Sequence, residues 1–81
     1  MNEDTQVEFL KQLYPEGTRI QLDLMGDDPD PIRPGTCGTV LLVDDIGTVH
    51  CRFDDGRRMG VIPGVDAFHV IERETEGKEE R

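Results

Sequence analysis

The stretch Thr48-Val49-His50-Cys51-Arg52-Phe53-Asp54-Asp55-Gly56-Arg57-Arg58-Met59-Gly60-Val61-Ile62 decides the fold class. Val49, Cys51 and Phe53 alternate with polar residues and so share one face of a strand. Asp54-Asp55-Gly56 is a three-residue hairpin loop, a type I turn whose Gly56 takes the left-handed position of a G1 bulge. The returning strand sets Met59 and Val61 against Cys51 and Val49. A single hairpin with one buried face does not hold in water, so the flanking sequence has to supply its neighbours.

Upstream, Cys37 to Val43 forms a strand with Val40 and Leu42 on one face. Asp44-Asp45-Ile46-Gly47 turns it back, with aspartates early and Gly47 free to take positive φ. Arg19 to Leu24 is a further strand, placing Ile20, Leu22 and Leu24 inward. Met25 to Thr36, with Gly26, Pro29, Pro31, Pro34 and Gly35, is a long irregular loop. Downstream, Pro63-Gly64-Val65-Asp66-Ala67 is a short turn, and Phe68-His69-Val70-Ile71 is the fifth strand.

Five short strands, one long loop, two tight turns and one short helical turn predict an all-β domain, a small five-stranded SH3-like barrel. It occupies residues 15–71. Residues 1–14 form a short helical extension: Val7, Leu10, Leu13 and Tyr14 recur at spacings of three and four, with Phe9 nearby. Asp4 or Thr5 is the expected N-cap, and Pro15 with Gly17 ends the helix. Residues 72–81 (ERETEGKEER) lack apolar side chains and are expected to be a disordered charged tail.

The chain has 81 residues, 18 acidic against 9 basic, for a net charge of −9, and it has no Trp. The barrel segment carries −5 of this and each flank −2, so the acidity is spread along the chain. There is no serine, which excludes serine nucleophile chemistry. No apolar run approaches the ~18 residues of a membrane span. No basic-then-apolar leader opens the chain, so a cytoplasmic location with reduced thiols is expected.

The runs Tyr14-Pro15-Glu16-Gly17-Thr18-Arg19-Ile20, Pro34-Gly35-Thr36 with Gly38-Thr39-Val40, Val43-Asp44-Asp45-Ile46-Gly47-Thr48-Val49-His50, Asp54-Asp55-Gly56 and Ile62-Pro63-Gly64 resemble a known family. It is the small bacterial and phage family known as domain of unknown function 4314, and the resemblance covers residues 14–71. It departs from the family pattern at Met59-Gly60, where an aromatic is commoner, and at Cys37 and Cys51, which replace residues more often basic and aliphatic. The resemblance implies an SH3-like barrel and a setting among phages and mobile elements, whose accessory proteins include inhibitors of host defence. It implies no catalytic residues.

The chemistry-bearing residues do not assemble into a reaction centre. With Val43 opposite Thr48, Val40 faces Cys51 and Cys37 faces Asp54, which leaves the thiols too far apart for the ~5.5 Å Cα spacing of a disulfide. His50 and Cys51 are adjacent on a strand and point to opposite faces. Neither they nor Cys37 and His69 show zinc spacing, and Asp28-Pro29-Asp30 lacks the glycine and terminal glutamate of a calcium loop. No metal, cofactor or catalytic residue is therefore expected, and the protein is expected not to be an enzyme.

Direct nucleic-acid binding needs an excess of cations, and here Arg52, Arg57 and Arg58 are the only local basic spot, flanked by Asp54 and Asp55. A proline-rich groove would need more aromatics than one Tyr and three Phe. What remains is the acidic surface. An SH3-like barrel would gather Asp27, Asp28, Asp30, Asp44, Asp45 and Asp66 at one end, with Asp54 and Asp55 at the opposite tip. Aspartates also build turns by accepting nearby backbone N–H bonds.

The functional expectation is a non-catalytic binding module engaging a host protein with a basic surface through these acidic loops. By mimicking nucleic acid it would inhibit a defence system such as a CRISPR nuclease. The alternatives are an oligomeric sponge for a small signal nucleotide, with the helix at 5–14 as its interface, and a nucleic-acid-binding barrel.

Overall fold

The computed structural model describes residues 3–26 and 28–72. Helix α1 runs Glu3–Leu13, followed by strands β1 (Arg19–Leu24), β2 (Cys37–Val43), β3 (Val49–Phe53), β4 (Arg58–Val61) and β5 (Ala67–Glu72). They form one antiparallel sheet in the order β4-β3-β2-β1-β5. The first four strands are a meander and the fifth returns beside the first, an order compatible with the SH3-like plan. No ladder joins β4 to β5 among the described residues; a bridge between Pro63 and Asp66 lies between them. Glu72, expected in the charged tail, instead ends β5, and 73–81 lie outside the described residues.

The deciding hairpin forms as its residues require. Val49 pairs with Val61 and Cys51 with Met59. The Gly56 N–H donates to the Phe53 carbonyl at 2.9 Å, and Gly56 has φ 95°. Phe53, Val49, Cys51 and Val61 are fully buried with Ile20, Leu22, Val40 and Ile32. Burying each such side chain contributes about 1.5–3 kcal/mol, which is what a chain this short has to hold its sheet around one core.

Two of the three register shifts in the sheet overturn an expected alternation. The β2–β3 register passes from Val40↔Cys51 to Leu42↔His50 and Val43↔Val49, so Leu41 is an extra residue. Val43 turns inward, and Leu42 is 51% exposed instead of buried. Val43 thus faces Val49, not Thr48. In β1 the register with β5 passes from Leu22↔Phe68 to Leu24↔Ala67, with Asp23 the extra residue. Leu24 is therefore 62% exposed, and Met25 takes the core position expected for it. Both corrections have one cause: a bulge adds a residue to one strand and inverts the facing of everything beyond it.

Among the described residues, the long loop over 25–36 contains no strand. Ile32, almost fully buried in the core, anchors it, and the Gly35 N–H closes its base on the Leu22 carbonyl. Helix α1 starts at Glu3, ahead of the expected caps Asp4 and Thr5. Its cap position therefore falls outside the described residues. Val7 is buried, Leu10 packs on the core, and Phe9 stays 59% exposed. The Tyr14 ring lies 5.4 Å from that of Phe68. Gly17, at φ 94°, ends the segment and donates its N–H to the Val40 carbonyl.

Candidate functional site

The first hairpin is built around one carboxylate. Asp44 Oδ1 accepts the N–H groups of Ile46 at 3.1 Å and Thr48 at 2.9 Å, while Oδ2 lies 2.8 Å from His50 Nε2. The His50 hydrogen bond and the Thr48 N–H hold the Asp44 carboxyl below its ordinary range. This aspartate appears at the turn because its short side chain reaches back to orphan amides. Asp45, beside it, meets Lys11 of α1 at 3.6 Å.

Asp66 does similar work at the other crossover. Its Oδ1 accepts the Gly26 N–H at 2.5 Å and its Oδ2 the Ile62 N–H at 2.8 Å. It ties the end of the β1 segment to the turn after β4. Asp28 accepts the Asp30 N–H at 2.8 Å, a local Asx turn. Asp30 is held by Arg57, which donates to its carbonyl at 2.7 Å and approaches its carboxylate at 3.5 Å.

Among the described carboxylates expected at one end, Asp30 stands apart from Asp44 and Asp45. Asp44 and Asp45 shape the first hairpin. Asp30 sits against Arg57, beside the second, and the five residues of β3, about 16 Å of strand, separate the two hairpins. Burial of Ile32 and the grip of Arg57 draw the long loop toward the second hairpin. Asp66 is spent on two backbone amides, and Asp27 lies outside the described residues. At the second hairpin, Asp54 accepts two bonds from Arg19, at 2.9 and 2.7 Å.

The structure also shows a surface that the acidic residues do not announce. A groove of about 320 Å³ runs between α1, the first hairpin and the turn after β4. Val7, Leu10, Ile46, Ile62 and Pro63 give it apolar walls, and Gln6 and Asp45 lie at its edge. Ile46, at the tip of its turn, is 85% exposed. Phe9 lies on the adjoining face of α1, which shares Gln6 and Leu10 with the groove. One signal pointed here: an isoleucine inside Asp-Asp-Ile-Gly is an apolar residue where a turn favours a polar one. The joining of Ile46 to Leu10 and Ile62 depends on tertiary contact.

Of the remaining reactive groups, Cys51 is suppressed by burial and His69 is engaged by a carboxylate. Cys37 and Cys51 are both free thiols. Burial pushes the Cys51 thiol up to about 12, which leaves it protonated and unreactive at neutral pH. His69 Nδ1 lies 2.8 Å from Asp23 Oδ2. No three His, Cys, Asp or Glu side chains converge on a metal-sized site among the described residues. No described helix is long and apolar enough to cross a membrane.

Neither the curated proteins nor the solved structures provide a match to this chain. A family profile described as Domain of unknown function (DUF4314) matches residues 3–71, covering the helix and all five strands up to Ile71. The chain belongs to the family of domain of unknown function 4314.

Proposed function

We propose that the protein is a non-catalytic binding module that engages a cationic surface on a partner protein, with the groove beside α1 as its contact face. The observation that carries this reading is Ile46, 85% exposed at a turn tip and set beside Leu10, Ile62 and Pro63. Contiguous exposed apolar surface on a small domain marks an interaction site. The net charge of −9 supplies the other half. It draws a basic partner toward the molecule and makes the encounter salt-sensitive. The buried, protonated Cys51 and the engagement of His50 by Asp44 support a role without chemistry.

The bacterial and phage setting implied by the family resemblance suits a host target. A defence nuclease such as a CRISPR effector presents a basic channel that an acidic protein would occupy in competition with nucleic acid. The test is affinity capture from host lysate with mass spectrometry, comparing the native chain with Ile46→Asp, with Asp45→Asn, and with Asp27, Asp28 and Asp30 together changed to Asn. The native chain should retain one basic partner at low salt, lose much of it at moderate salt, and lose it outright with Ile46→Asp. Background alone at both salts, or equal recovery by Ile46→Asp, refutes the reading.

A further inference from the structure

The sheet register sets one row of residues across four strands on the outer face. Arg19 stands opposite Thr39, Thr39 opposite Arg52, and Arg52 opposite Arg58. Their neighbours Ile20, Val40, Cys51 and Phe53 are buried on the inner face. Arg19 is committed to Asp54 and to the Thr39 hydroxyl. Arg57 is turned away, onto the carbonyls of Asp30 and Pro31. Arg52 and Arg58 are exposed, and their side chains form no hydrogen bond or ion pair among the described residues.

Like charges directly opposite each other destabilise an antiparallel pair. This chain has 18 acids and 9 bases, yet it sets two arginines opposite each other in the ladder with no acidic partner among the described residues. Beside Arg58 lies a depression of about 200 Å³, walled by Leu41, Leu42, His50 and Met59 and floored at Gly60. Gly60 faces His50 across the ladder and contributes no side chain there. Leu42, turned outward by the bulge at Leu41, gives the depression an apolar wall.

We propose that this face binds a small phosphate monoester, with Arg52 and Arg58 on the phosphate and the body of the ligand in the depression against Leu42. Guanidinium forks match phosphate oxygens with paired, charge-assisted bonds. Two cations balance a phosphate monoester, which carries about −1.5 to −2 at neutral pH, whereas a single carboxylate, at −1, leaves one positive charge uncompensated. A long polyanion is disfavoured, because the net charge of −9 and the carboxylates of Asp54 and Asp55 oppose it. The site shares no residue with the groove beside α1, so it stands or falls apart from the partner-binding reading.

The test is an amide NMR titration of the full chain at constant ionic strength, using inorganic phosphate, adenosine monophosphate, butyrate and a single-stranded oligonucleotide. Saturable shifts at Arg52, Arg58 and Gly60 are expected, with adenosine monophosphate binding at least about threefold more tightly than phosphate. Arg52→Gln and Arg58→Gln should each weaken binding about tenfold and raise the thermal midpoint, since each relieves the repulsion. Shifts no larger than chloride produces overturn the proposal, as do unchanged affinities in the two variants. A lower midpoint in both variants overturns it as well, because the arginines would then serve the fold. Equal or tighter binding of butyrate overturns the choice of phosphate. Tighter binding of the oligonucleotide, phosphate for phosphate, replaces it with a nucleic-acid backbone site. Equal affinity for adenosine monophosphate and phosphate removes the seat in the depression.

Discussion

Arg19 grips the Asp54 carboxylate with two bonds, Nη1 to Oδ1 at 2.9 Å and Nη2 to Oδ2 at 2.7 Å. The pair joins β1 to the loop of the second hairpin, across a strand that lies between them. It holds the Asp54 carboxyl below its ordinary 3.8, through the hydrogen bond first and the guanidinium charge after it. Asp44 is held down likewise by His50 and the Thr48 amide.

These two depressed carboxyls give stability a definite pH dependence. The unfolded chain takes up protons at a higher pH than the folded one does. The contribution is therefore complete at neutral pH, begins to fall near pH 4 and is lost as pH drops through the folded-state values. Arg19→Gln should cost about 0.2–1 kcal/mol at neutral pH and flatten the acid limb. Urea melts at stepped pH, at low and high salt, measure both effects.

The bulges predict opposite outcomes for neighbouring leucine, methionine and valine positions. Met25→Ala should cost about 2–5 kcal/mol as a core truncation, while Leu24→Ala should stay within about 0.5 kcal/mol. Val43→Asp should prevent folding and Leu42→Asp should be tolerated. Chemical denaturation of the four variants decides it, and the reverse ranking would place the bulges elsewhere.

Gly60 is required by its neighbour across the sheet. A Cβ added there would meet Thr48 Cγ2 at 2.6 Å, so Gly60→Ala should cost about 1–3 kcal/mol through overpacking. Thr48→Ala removes the obstructing methyl but keeps the backbone N–H that Asp44 accepts. The double variant should therefore recover most of the loss. Additive losses in a double-mutant cycle would show that the methyl is not the cause.

Asp66 and Asp28 should differ sharply, although both are turn aspartates. Asp66→Ala strips two amides, Gly26 and Ile62, of their acceptor and should cost about 1–3 kcal/mol. Asp28→Ala removes one exposed bond and should change stability by less than about 0.5 kcal/mol. Thermal melts with hydrogen exchange at Gly26 and Ile62 report this directly. A partner-binding test that substitutes Asp66 would therefore confuse recognition with folding.

The local order of the chain determined a good deal. Alternation at Val49, Cys51 and Phe53, the Asp54-Asp55-Gly56 loop, the prolines of the long loop and the stripe of Val7 and Leu10 were sufficient for five strands, their turns and a leading helix. Each of these is set by periodicity or by turn chemistry within a few residues. The burial of Ile32 and Met25, the outward turn of Leu24 and Leu42, and the division of the aspartates between two hairpins were decided by tertiary structure. So were the groove at Ile46 and the facing of Arg52 by Arg58. A bulge is a property of two paired strands, and a surface patch joins residues that the chain separates. Asp44 and Asp30 read alike as turn aspartates. Only the folded chain decides that one meets His50 and the other Arg57, because each pairing depends on which strand ends packing brings together.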